Sequence, residues 1–236
     1  MFLASLIRRL PAPPLNGLIR LRGRLAGRTP LVHHGLQRSG TNHLNLCLAR
    51  LGARPLNSFD PARDHPSHKH FRWQQDKSTI ATVYRRQYGN DEVADEVETL
   101  DRLAGFPPGC RHLVIVKALE PWLASMCNWG LGCGWFDSKD QALAALPELA
   151  ADHAGFHAFW ERLAASRPDR VAIIDSADLQ TGLECLTKAL TQLGVGFHVP
   201  AGFDGRVREV PMSPRRRAQL VSVDEVRNAR AARELR

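Results

Sequence analysis

The sequence predicts an α/β fold, a short parallel β-sheet flanked by helices. Three short apolar runs carry that expectation: Leu31-Val-His-His-Gly35, His112-Leu-Val-Ile-Val-Lys117 and Arg170-Val-Ala-Ile-Ile-Asp175. Each is followed by a longer helix-prone stretch, and strands that alternate with helical patterns signal βαβ units. The second run is almost unbroken in its apolar character, as befits a parallel strand covered on both faces. A length of 236 residues with 44% hydrophobic content suits one such domain with a full core.

Charge divides the chain into three parts. Residues 1–30 hold six Arg and no acid, and residues 206–236 hold nine Arg against four acids. The formal charge is +8, so the middle is slightly acidic. The expected organisation is therefore a basic N-terminal arm (1–30), an α/β domain (31–205) and a basic C-terminal helical segment (206–236). The basic ends attract anions, either through peripheral contact with an anionic membrane or as solvated surface. For residues 1–30 the alternatives are an amphipathic surface-binding arm, with Ile19 and Leu21 among arginines, and a solvated leader packed loosely on the domain. Met1-Phe-Leu-Ala-Ser-Leu-Ile7 is too short for a membrane span, and its charges follow it where a secretory signal has them in front. Five cysteines without a C-x-x-C pair argue against a disulfide framework and a zinc knuckle, so a reducing, cytoplasmic setting is expected.

The first apolar run leads into Leu36-Gln-Arg-Ser-Gly-Thr-Asn-His43, and Leu44, Leu46 and Leu48 then open a helix. Backbone amides from Ser39 to His43 can converge at the helix N-terminus, where free N–H groups and the positive end of the dipole favour phosphate or sulfate. Ser39, Thr41 and Asn42 supply short polar side chains, Arg38 a permanent cation, and Gly40 a close backbone approach. The ATP-loop pattern G-x-x-x-x-G-K-[ST] is absent. A strand-to-helix turn with an ordinary polar cap is the plain alternative.

Gln37-Arg-Ser-Gly-Thr-Asn42 resembles the 5′-phosphosulfate loop of sulfotransferases, (Lys/Arg)-Ser-Gly-Thr-Thr, with Asn42 at the second threonine. The resemblance implies a P-loop-like sulfotransferase architecture and the donor 3′-phosphoadenosine 5′-phosphosulfate (PAPS). It also implies sulfuryl transfer to a hydroxyl or amine of a small-molecule or glycan acceptor, leaving adenosine 3′,5′-bisphosphate. Cofactor-binding residues carried over are Gln37, Arg38, Ser39, Gly40, Thr41, Asn42 and His43. A second match is Lys117 with Ser125 eight residues on, resembling the strand-terminal Arg and helical Ser that grip the 3′-phosphate in that family. Lys replaces Arg here, and Pro121 stands four residues after the cation where two is usual. Trp122 sits where bacterial members often carry an aromatic residue.

Between these motifs, residues 58–78 form a polar, histidine-rich loop whose length points to function. Lys69-His70 loosely resembles a Lys-Thr-His segment that supplies a catalytic histidine, which makes His70 the expected base, beside Lys69 and Arg38 as catalytic cations. Asp64 and Asp76 are the alternatives. His65, His68 and His70 also invite a metal reading, but no carboxylate or cysteine stands at paired spacing, and no metal is expected. The acid-rich stretch 78–103 reads as a mainly solvated helix region. Asn128-Trp-Gly-Leu-Gly-Cys-Gly-Trp-Phe136 reads as a glycine-spaced aromatic loop, lining an acceptor pocket or forming a compact turn. Residues 139–165 are helix-prone, with His153 and His157 as packing or surface groups. Asp175 is followed by Ser176, where the family carries a tyrosine, and by an amphipathic helix ending at Gly194. Ser213-Pro214 starts a basic helix, in which Arg215 to Arg217 stand in for a nucleotide-covering loop or lie solvated. Two other classes remain open on sequence: a P-loop-type nucleotide-dependent kinase and a non-catalytic binder of anionic polymer or membrane. No aromatic residue interleaves the C-terminal arginines, so no specific nucleic-acid partner is expected.

Overall fold

The computed structural model describes residues 12–25, 27–59, 61–62, 65–73, 94–206 and 220–234. The elements run α1 (Ala12–Leu25), β1 (Leu31–Gly35), α2 (Thr41–Arg50), α3 (Val97–Ala104), β2 (Arg111–Val116), α4 (Leu119–Cys133), α5 (Lys139–Ala144), α6 (Leu146–Ser166), β3 (Val171–Asp175), α7 (Ser176–Thr181), α8 (Glu184–Gln192) and α9 (Val223–Glu234). The described strands form one three-stranded sheet in the order β1-β2-β3. Both pairings are parallel, and the register sets Gly35 beside Ile115 and Val116 beside Asp175. All three strands therefore end on one rim, which is where an open α/β sheet places ligands.

Side chains alternate across the sheet and both faces are covered. Leu31, Leu113, Ile115, Ala172 and Ile174 pack with Leu44, Leu48, Leu186 and Leu190 from α2 and α8. Val32, Val114 and Val171 face the other way, toward Leu15, Leu100, Trp122, Phe156, Trp160 and Val226. Two layers of helix on one sheet explain why the strands are apolar on both faces.

Several expectations are corrected. The N-terminal arm is not a loosely packed leader where it is described: Leu15 and Ile19 are fully buried. Their i, i+4 spacing continues to Gly23, where an added Cβ would stand 2.8 Å from Pro107 Cγ. In the acid-rich region Asp95, Glu96 and Glu98 are exposed while Val97, Leu100, Asp101 and Ala104 of α3 are buried, and residues 78–93 lie outside the described residues. The glycine-spaced stretch after Asn128 continues α4 to Cys133 and stops at Gly134, φ 73°. An added Cβ at Gly130 would lie 2.4 Å from Phe136 Cε2, so that glycine makes room for a core ring within the helix.

In the C-terminal segment, Asn128 clasps Val221 through both of its backbone groups at 2.8 and 3.0 Å, and Arg230 pairs with Glu120 at 2.7 Å. Residues 213–217 lie outside the described residues, as do Asp64 and Asp76. Among the described residues no helix is long and apolar enough to cross a membrane.

Candidate functional site

Strand β1 delivers the chain to the rim at Gly35, and a turn closes with the Ser39 amide donating to the Leu36 carbonyl at 3.1 Å. Within that turn Arg38 adopts φ 71° and Gly40 φ 96°, both left-handed. Gly40 caps α2 without any side-chain hydrogen bond. Leu44 is the first amide bonded back into the helix, to Gly40 at 3.0 Å. The amides of Thr41, Asn42 and His43 thus occupy the first turn, which has no intrahelical acceptor to offer them. Left-handed residues interspersed in such a turn make a concave nest of N–H groups.

Packing holds this turn in place from below. Trp122 is fully buried and donates its indole N–H to the Gln37 carbonyl at 2.8 Å. Gly35 admits no side chain, since an added Cβ would approach Thr41 Cγ2 at 2.6 Å and Ser39 Oγ at 2.8 Å. Ser39 donates its hydroxyl to the Leu36 carbonyl at 2.6 Å, so its proton braces the turn and is not directed at a ligand. His43 turns its ring away, to the Gly205 carbonyl at 2.7 Å, leaving only its backbone to the cradle.

A cavity of about 590 Å³ opens over the turn, within the usual range of about 300–1,000 Å³ for small-molecule sites. Its described wall includes Gln37 to Asn42, Lys69, His70, Lys117 and Ser125, so every expected site residue except His43 borders it. Three cations, Arg38, Lys69 and Lys117, face this space, and no carboxylate appears among the described wall residues. Arg38 donates from Nε to Ser125 Oγ at 3.3 Å and lies 5.2 Å over the Trp129 ring. Lys69 donates to Asn42 Oδ1 at 2.8 Å. Burial lowers the Lys117 pKa, Arg38 lowers it further, and Asp175 opposes both. An anion placed beside Lys117 would favour its charged form.

The histidine-rich loop reaches the site because it lies alongside the end of β1. Gly35 donates its amide to the Lys69 carbonyl at 3.0 Å, Phe71 and Trp73 are buried, and Arg72 forms a buried ion pair with Asp152 of α6. The Nδ1 of His70 is 2.8 Å from the Gly35 carbonyl, which can only accept, so Nδ1 carries the proton and Nε2 keeps its lone pair. Nε2 is 3.5 Å from Thr41 Oγ1, beside the cradle. Burial, followed by His68, holds the His70 pKa well below the ordinary imidazole value.

Two other histidines of the loop are engaged within it. His65 Nδ1 engages Ser67 Oγ at 2.7 Å, and His68 Nδ1 accepts from the His70 amide at 3.0 Å, so these rings shape the loop. Among the described residues the one group with ligand-like spacing is Asp101, Cys110 and His112, buried in the core. There Asp101 already accepts from His112 at 3.0 Å and from Arg170 at 2.6 Å, and the fixed guanidinium charge opposes a metal cation. His153 and His157 are packing groups as expected, with rings 4.0 Å apart, and His153 Nε2 holds the Lys117 carbonyl at 2.8 Å.

Sequence reasoning missed Gln180, which borders the cavity from α7, and gave Trp129 only a general role. The signal for Gln180 was its place in the short helix that directly follows β3, on the rim where ligands collect. No family model matches this chain, and a search of curated proteins found no match either.

Proposed function

We propose that this chain is a sulfotransferase that moves a sulfuryl group from PAPS to a hydroxyl or amine. The observation that carries the reading is a convergence: the Gln37–Asn42 turn, Lys117, Ser125 and His70, taken from three separate parts of the sequence, border one cavity. The chemistry of the wall suits the donor. Free helix-start amides and Arg38 match a phosphosulfate, while Lys117 and Ser125 match a second phosphate. Bound there, PAPS supplies an activated sulfuryl group on a phosphate leaving group.

The residues then divide the work. Arg38, Lys69 and the cradle amides neutralise negative charge that builds on the leaving phosphate, an electrostatic role of the kind that dominates phosphoryl transfer. His70, with Nδ1–H fixed on Gly35, offers Nε2 to remove the acceptor proton as the acceptor attacks. The kinase alternative is weaker, because the loop lacks its lysine and the described wall has no carboxylate for magnesium.

The test follows release of adenosine 3′,5′-bisphosphate from PAPS across a panel of hydroxyl and amine acceptors. His70→Ala should lower kcat by roughly 10²- to 10⁴-fold while bisphosphate affinity stays unchanged. The acid limb of the wild-type profile should lie below about pH 6.5, because burial keeps His70 neutral. An active His70→Ala enzyme, or no acceptor-dependent release by the wild type, contradicts the proposal.

A further inference from the structure

Helix α1 presents two different faces. Leu15 and Ile19 are fully buried against the domain, whereas Leu18, Leu21 and Leu25 are 41%, 52% and 77% exposed. These three leucines recur at i, i+3 and i+7, which places them in one stripe along the helix. Arg20 and Arg24, both exposed, run along the far flank of that stripe, and exposed Arg28 follows the helix. The sequence contains no Asp or Glu before Asp60. Among the described residues the only other large exposed hydrophobics are Leu46 and Val199, so this is a local concentration and not the usual scatter.

We infer that the outer face of α1 is a docking surface for an anionic phospholipid membrane. Leucines in a stripe enter the boundary between headgroups and acyl chains, and arginines beside them bind headgroup phosphates. Charge complementarity selects this occupant over two others. A nucleic acid uses the arginines but gains nothing from three exposed leucines. A second copy of the chain, packed stripe to stripe, brings rows of arginine together without an acid on α1 to pair them. The placement also leaves the cavity open. Arg22 bonds the Leu56 carbonyl at 3.2 Å, Leu56 in turn bonds Leu31 at the start of β1, and the cavity lies at the opposite ends of the strands.

The test is co-sedimentation of the full chain with vesicles of equimolar phosphatidylcholine and phosphatidylserine, and with phosphatidylcholine alone. Binding should be at least about tenfold stronger to the mixed vesicles and should weaken as salt rises. Leu21→Ser/Leu25→Ser and Arg20→Glu/Arg24→Glu should each reduce it by about tenfold or more. Their thermal unfolding should match the wild type, since all four side chains are exposed. The inference is overturned if the mixed vesicles do not sediment the protein, or if the neutral vesicles bind it equally. Unchanged binding by the leucine variant overturns it too, as does a wild-type dimer that this variant converts to monomer.

Discussion

Arg38 holds a backbone conformation that costs an L-residue about 1–2 kcal/mol, at φ 71°. Strain of this kind persists where the surroundings enforce it and is concentrated at functional sites. Here the enforcement is visible: the Trp122 indole fixes the Gln37 carbonyl just before it, and the Ser39 amide and hydroxyl both bond Leu36 just after it. Its guanidinium, meanwhile, meets Ser125 and the Trp129 face among the described residues. Backbone and side chain therefore make opposite predictions for one substitution. Arg38→Gly should leave stability unchanged or raise it by up to about 1 kcal/mol in chemical denaturation, because glycine tolerates the left-handed region. The same change should weaken bisphosphate binding by about 1.5–3 kcal/mol, the worth of a hydrogen bond to a charged group. Arg38→Ala should lose the same affinity but keep the strain. A glycine variant that binds as tightly as the wild type removes Arg38 from the site.

The loop of residues 65–73 is the element on which the catalytic part of the account depends. It has no regular structure, yet its far end is anchored by buried Phe71 and Trp73 and by the Arg72–Asp152 ion pair. Removing one partner of a buried pair strands the other charge, at about 3–5 kcal/mol. Asp152→Ala should therefore destabilise the protein by that amount in urea denaturation and lower kcat, since the segment that aligns His70 on Gly35 loses its anchor. A variant of normal stability and activity shows that the pair does not hold the loop. This anchoring was not legible in the sequence, because Lys69 meets Gly35, and Arg72 meets Asp152, across long separations that no local pattern records. The cradle was legible, because a strand, a turn and a helix start are contiguous. Lys117 and Ser125 stood in the same position, one beyond the end of β2 and the other within α4. Trp129 was assigned to a loop because Gly130, Gly132 and Gly134 suggested a turn. In the folded chain Gly130 lies within α4, and the ring of Phe136 fills the space a side chain there would need. Local propensity yielded there to packing.

At the scale of the whole molecule, the sheet buries a polar chain on the face opposite α2. His34 Nε2 lies 3.1 Å from His112 Nδ1, His112 Nε2 lies 3.0 Å from Asp101, and Asp101 accepts from Arg170. Burial, then His112 and His33, push the His34 pKa well below the usual value, and burial lowers His70, His153 and His157 in the same direction. A histidine kept neutral in the folded state binds fewer protons than it does unfolded, so stability is complete above the unfolded pKa of about 6.5 and falls as pH drops below it. The urea midpoint should hold steady from about pH 7.5 to 6.5 and decline toward pH 5, before exposed carboxylates such as Asp169 begin to titrate. A flat midpoint across that window contradicts this reading of the core. The cavity on the rim poses the larger question, whether it recognises two phosphate positions at once, and calorimetry on adenosine 3′,5′-bisphosphate and 5′-AMP answers it most directly. The wild type should bind the bisphosphate more tightly by about 1.5–3 kcal/mol per added charge-assisted contact, and Lys117→Ala should erase most of that preference while leaving 5′-AMP binding nearly unchanged. Equal affinity of the wild type for the two nucleotides contradicts the sulfotransferase account.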